Sequence, residues 1–160
     1  AAQDNQPLSF LWLKVNEPER PPSDHISLLK GVCVTIEYKV IQPVKGANIA
    51  LHLWNNQGIC VLSTTDIDRD PETISQARIP GVYQVQCLIP REYLKAGRYQ
   101  LGLSSSIPGV QVIARFDNLL SFEVVDTGSV ESLIHQGRQG VISPVLEWQT
   151  CPLDQSDRSG

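Results

Sequence analysis

Between Leu8 and Val125, apolar side chains recur at every second position far more often than at every third or fourth, and turn-forming residues cluster between the runs. Such alternation puts successive side chains on opposite faces of an extended ribbon, so it predicts strands and not helices. The clearest is Val32–Ile41, with Val32, Val34, Ile36, Tyr38 and Val40 on a face predicted to be buried and Cys33, Thr35, Glu37 and Lys39 on the other. Further strands are expected at Leu8–Val15, Asn48–Trp54, Ile59–Thr65, Gly81–Ile89 and Arg98–Ser104. A closing hairpin is expected from Val110–Arg115 and Leu119–Val125 around Asp117-Asn118.

The connections carry their own chemistry. Asn16–Asp24 and Asp66–Gln76 read as loops, Pro43–Gly46 as a turn, and Asn55-Asn56-Gln57-Gly58 as a hairpin with residues tolerant of positive φ. Pro90–Ala96 fits one turn of helix closed by Gly97, and Gly97-Arg98-Tyr99 resembles the tyrosine corner of immunoglobulin-like sandwiches. About eight short strands at this spacing predict an all-β fold, a two-sheet antiparallel immunoglobulin-like β-sandwich of jelly-roll type. The 160 residues suffice for one core, so residues 1–150 are expected to form a single sandwich domain. Asp126–Gly140 is polar, and Val141–Thr150 reads as an extended segment that can dock on its own sandwich or be exchanged with a second copy. Residues 151–160 have the composition of a disordered tail.

Charge narrows the partners. Thirteen Lys and Arg against seventeen Asp and Glu give a net charge of −4, with no basic cluster, which excludes a typical nucleic-acid binder. Gln, Asn, Ser and Thr together outnumber the charged residues, a balance suited to a neutral polar ligand. The longest run without Asp, Glu, Lys or Arg, Gly46–Thr65, is broken by His52, Asn55, Asn56 and Gln57 and is no membrane span. Ala1–Pro7 lacks the features of a secretory signal, and the absence of Met points to a processed chain or a domain of a longer one. Cys33, Cys60, Cys87 and Cys151 form no CxxC pair; three of them lie in strand-like runs, and free thiols in a reducing compartment are expected.

Catalytic motifs are missing. Asp66, Asp68 and Asp70 have the spacing of the first calcium ligands of an EF-hand loop, but Pro71 replaces the turn glycine and Ala77 stands where the bidentate Glu belongs. His25, His52 and His135 have no zinc-type spacing, and no GxSxG, Walker or Rossmann motif occurs. Hence no enzyme activity, cofactor or metal is expected. Trp54 and His52 differ, because the alternation that buries Leu51 and Leu53 turns both outward. By the same parity Thr35, Lys39, Gln84, Gln86 and Gln100 face outward, and a shared wall bearing these seven residues would suit a sugar. Its C–H face packs on an aromatic plate, while its hydroxyls seek rigidly held amides and an imidazole. The plainer alternative has Trp54 packing against a loop or partner and Trp148 acting as a packing anchor.

Several stretches resemble the C-terminal domain of Wzt-type nucleotide-binding subunits of polysaccharide ABC exporters. They include Gly31-Val32-Cys33-Val34-Thr35-Ile36-Glu37-Tyr38, the Pro43–Trp54 hairpin, and Ile89-Pro90-Arg91-Glu92-Tyr93-Leu94-Lys95-Ala96-Gly97-Arg98-Tyr99. Ser121-Phe122-Glu123-Val124 and Gly140-Val141-Ile142-Ser143-Pro144-Val145-Leu146-Glu147-Trp148 continue the series, which spans roughly residues 8–149. The resemblance implies a non-catalytic sandwich that binds an exported, lipid-linked polysaccharide of O-antigen type. It also implies a homodimer formed through the last strand, an upstream ATPase domain, a membrane permease partner, and a cytoplasmic position at the inner membrane. The alternatives are a dimerisation or interaction module with no sugar, an extracellular adhesion sandwich, and an accessory module of a glycosyltransferase or methyltransferase.

Overall fold

The computed structural model describes residues 6–129 and 139–153. One sheet has three antiparallel strands in the order β1 (Leu8–Asn16), β3 (Val32–Val40), β8 (Gly81–Ile89). The other has five: β2 (His25–Ser27), β10 (Gln111–Val125), β9 (Gly97–Ile107), β5 (Asn48–Asn55) and β6 (Cys60–Thr65). Its ladders are antiparallel except for the short parallel pair β2–β10. A two-residue ladder joins β4 (Val44–Lys45) to β7 (Ala77–Arg78). The architecture is the expected all-β sandwich.

Alternation explains the core. Val32, Val34, Ile36, Tyr38 and Val40 of β3 are buried, as are Ile49, Leu51 and Leu53 of β5, Leu101 and Leu103 of β9, and Phe122 and Val124 of β10. These inner faces form one apolar cluster, and each fully buried aliphatic is worth roughly 1.5–3 kcal/mol. Tyr99 stacks on Phe122 at 5.7 Å, and its hydroxyl donates to the Lys95 carbonyl at 2.7 Å, so the tyrosine corner is present.

Departures from the sequence reading have local causes. Pro90–Ala96 is not helical: Glu92 adopts φ 58° and its N–H donates to the Leu28 carbonyl at 2.6 Å, leaving no helical hydrogen bond for that group. The expected hairpin at Asp117-Asn118 is instead a bulge inside the single strand β10, with Asn118 at φ 56°; the turn lies earlier, between Ile107 and Gln111. Asp66–Gln76 contains a 3-10 turn at Pro71–Ser75. Of Val141–Thr150, Ile142 alone makes a bridge, to Leu94, and Trp148 is 89% exposed. The tail expected at 151–160 lies, from 154 onward, outside the described residues.

Candidate functional site

The seven residues expected on one wall stand on two. β3 and β5, separated along the chain only by the two-residue β4, belong to opposite sheets, so their outward faces point away from each other. Trp54, His52 and Gln100 lie on the outer wall of the five-stranded sheet. Thr35, Lys39, Gln84 and Gln86 lie on the outer wall of the three-stranded sheet, where Thr35 pairs across strands with Gln86 and Glu37 with Gln84. The single-wall expectation is therefore corrected.

On the first wall, Trp54 sits opposite Gln100 and His52 opposite Gly102. The imidazole is clamped between two hydroxyls, with Nδ1 2.8 Å from Ser63 Oγ and Nε2 2.8 Å from Ser104 Oγ. Burial, reinforced by the Arg115 cation, lowers its pKa from the usual value of 6.5, which favours the neutral ring with one donor and one acceptor nitrogen. The His52 and Trp54 rings lie 5.8 Å apart at 41°. A Cβ on Gly102 would lie 2.8 Å from the indole Cζ3 and 2.7 Å from the Phe116 carbonyl oxygen, so glycine makes room for both the tryptophan and the β10 bulge. Arg115 and Asp117 complete the rim, linked at 3.4 Å.

On the second wall the sequence reading missed Trp12. β1 contains an irregularity between Phe10 and Trp12, so Phe10 faces the core with Tyr38 while Trp12 comes out beside Glu37 and Lys14 beside Thr35. Lys14 Nζ lies 5.7 Å from the Trp12 ring centroid. Thr35, expected to be displayed, is fully covered, because it sits on the central strand between Lys14 and Gln86. Gln86 Nε2 reaches its hydroxyl at 3.4 Å. Lys39 and Gln84 are exposed.

Between the edge strands β6 and β8 the smaller sheet fails to cover the larger, leaving a cleft of about 540 Å³ with Ile36, Leu51, Val85 and Cys87 in its walls. The aspartates beside it are occupied. Asp66 pairs with Arg78 at 2.8 Å and accepts from the Ile49 N–H at 3.0 Å, while Asp68 accepts from Thr64 and Thr65. Among the described residues no cluster of three or more His, Cys, Asp or Glu is placed to hold a metal ion, and no helix is long and apolar enough to cross a membrane.

The fold defines the chain as an immunoglobulin-like β-sandwich with two polar outer walls, each carrying a tryptophan. Among solved structures it is similar to the C-terminal domain of wzt, with a TM-score of 0.70 over 92% of this chain and 86% of that one at 9% identity. The fold implied by the sequence resemblance is thus the fold observed. Two further likenesses are looser: the PmoD soluble domain from Methylocystis sp. ATCC 49242 (Rockwell), with TM-score 0.33, 11% identity and coverage of 76% and 99%, and a family 123 glycoside hydrolase from Clostridium perfringens, with TM-score 0.37, 12% identity and coverage of 75% and 27%. No protein-family model and no curated protein matches the sequence.

Proposed function

We propose that this chain is a non-catalytic carbohydrate-binding domain that holds a sugar unit of a glycan on the outer wall of its five-stranded sheet. The observation that carries this reading is the half-buried indole of Trp54, seated over Gly102 beside an imidazole fixed by Ser63 and Ser104. A pyranose offers an apolar C–H face to such a ring, and its hydroxyls can both donate and accept. His52, Gln100 and the serine hydroxyls supply both roles on a rigid ladder, as specific recognition of a neutral ligand needs.

Likeness to the wzt domain supports the wider setting: a lipid-linked polysaccharide of O-antigen type, recognised in the cytoplasm at the inner membrane and delivered to an ATPase domain and its permease. Calorimetric titration with O-antigen polysaccharides tests the ligand. Trp54→Ala should weaken binding at least tenfold, and undiminished binding by that variant would remove the proposed wall.

A second reading is favoured by the exposed apolar residues Val145, Leu146 and Trp148 and by the nine-residue strand β8, which among the described residues forms an edge of its sheet. An apolar extended segment and an open sheet edge complement one another, so exchange of residues 141–150 would build a homodimer. Light scattering on a chain ending at Gln139 checks it: a folded monomer from a dimeric parent supports exchange, and an unchanged mass opposes it.

A further inference from the structure

We propose that the outer wall of the three-stranded sheet carries a second, separate sugar-sized site, floored by Asn16, Thr35 and Gln86 and edged by Lys14 and Glu19. A depression of about 590 Å³ lies there, lined by Lys14, Asn16, Glu19, Thr35 and Gln86 among others, within the size range of small-ligand pockets. Its floor carries polar groups that are largely covered: Thr35 is 0% and Asn16 9% exposed.

Asn16 Oδ1 is, among the described residues, the one buried side-chain oxygen or nitrogen with no hydrogen-bond partner. The amide orientation is set by Nδ2, which donates to the Glu17 carbonyl at 2.7 Å, so the oxygen and not the nitrogen is left over. Buried acceptors are ordinarily satisfied, and this one, with no donor among the described residues, is open to a donor that a ligand hydroxyl can supply. The Thr35 hydroxyl is held only loosely, at 3.4 Å from Gln86 Nε2. The flexible Gln86 amide can swing aside and donate to a ligand hydroxyl that takes its place on Thr35, while a second ligand hydroxyl donates to Asn16 Oδ1.

Charge chooses among ligands. Lys14 and Glu19 offset each other across the depression, so no net field selects an anion or a cation. Polar groups that can pair with two hydroxyls, in a depression also lined by Pro18, Cys33 and Leu88, suit a neutral sugar with its mixed polar and C–H surface. The ligand class follows from the carbohydrate reading above; the residues are different ones, on the opposite face of the sandwich.

The test is nuclear magnetic resonance of the 15N-labelled 160-residue chain, titrated separately with D-mannose, D-galactose, L-rhamnose and N-acetyl-D-glucosamine at high millimolar concentration. At least one sugar should give saturable shifts at the side-chain amides of Asn16 and Gln86. These shifts should persist in Trp54→Ala and need about tenfold more sugar in Gln86→Ala, a change on an exposed edge strand that spares the core. Shifts confined to Trp54, His52 and Gln100 would overturn this second site and leave the first standing; shifts at Asn16 and Gln86 alone would do the reverse. No saturable shift at Asn16 with any of the four sugars, as when a water satisfies Oδ1, also overturns it.

Discussion

Trp54 occupies the space that a side chain at Gly102 would need, its Cζ3 2.8 Å from the Cβ position on the neighbouring strand. A glycine inside a strand ordinarily weakens it, so Gly102→Ala would be expected to help on propensity alone. Here the sign reverses. The Phe116 carbonyl stands 2.7 Å from the same point and is backbone, so it cannot swing aside as the indole can. Gly102→Ala should therefore cost about 1–3 kcal/mol in urea unfolding and alter tryptophan emission as Trp54 is displaced.

His52 links the same wall to pH. Burial holds its folded-state pKa below the usual 6.5, so the unfolded chain takes up this proton first as pH falls. Stability contributed by the neutral ring is complete above pH 6.5, declines below it, and stops changing once pH passes below the folded-state pKa. Arg115 also disfavours the charged ring and Asp117 favours it, with burial the largest influence. Unfolding free energies from pH 8 to pH 5 should thus fall less steeply in His52→Gln than in the parent; identical slopes would remove His52 as the cause.

Much of the fold was legible because the inner faces are almost uniformly aliphatic: the alternation of Val32, Val34 and Ile36, or of Ile49, Leu51 and Leu53, has one physical reading. The candidate site was less legible, for two reasons. Alternation tells inside from outside on each ribbon but not which sheet a ribbon joins, so Gln84 and Gln86 parted from Trp54 and His52. Bulges then reset the parity. Leu8 and Phe10 face the core at even positions and Leu13 and Val15 at odd ones, which hides Trp12 from any fixed alternation. Asp117, Asn118 and Leu119 disguise one long strand as two for the same reason. Tyr99, by contrast, was legible from its short Gly-x-Tyr context, because the corner depends on contacts only four residues apart.

That corner gives a third expectation. The Tyr99 hydroxyl donates to the Lys95 carbonyl across the turn that leads into β9, while the ring is buried against Phe122. Tyr99→Phe keeps the ring and deletes the hydrogen bond, which should cost about 1 kcal/mol without altering the fold. Tyr99→Ala removes the packing too and should cost about 3–5 kcal/mol. Equilibrium unfolding of the two variants separates the contributions; equal losses would show that the ring carries no stabilisation beyond the hydroxyl.

Arg78 gives the last. It stands on β7 and holds the long Asp66–Gln76 connection to the sandwich by pairing with Asp66 at 2.8 Å and donating to the Ala47 carbonyl at 3.0 and 3.3 Å. It also donates to the Tyr38 hydroxyl at 3.0 Å and lies 5.9 Å from that ring's centroid. Both charges are well shielded, with side-chain exposures of 11% and 16%, so removing one leaves the other buried without its partner. Arg78→Ala should cost roughly 3 kcal/mol or more in urea unfolding. Arg78→Lys should recover only part, because one ammonium cannot reach a carboxylate, a carbonyl and a phenol in the fork geometry that a guanidinium provides. A double variant, Arg78→Ala with Asp66→Asn, should lose less than the sum of the single losses, since the stranded carboxylate is then gone. Strict additivity would mean that the ion pair itself contributes nothing and that the carbonyl and phenol contacts hold the connection alone.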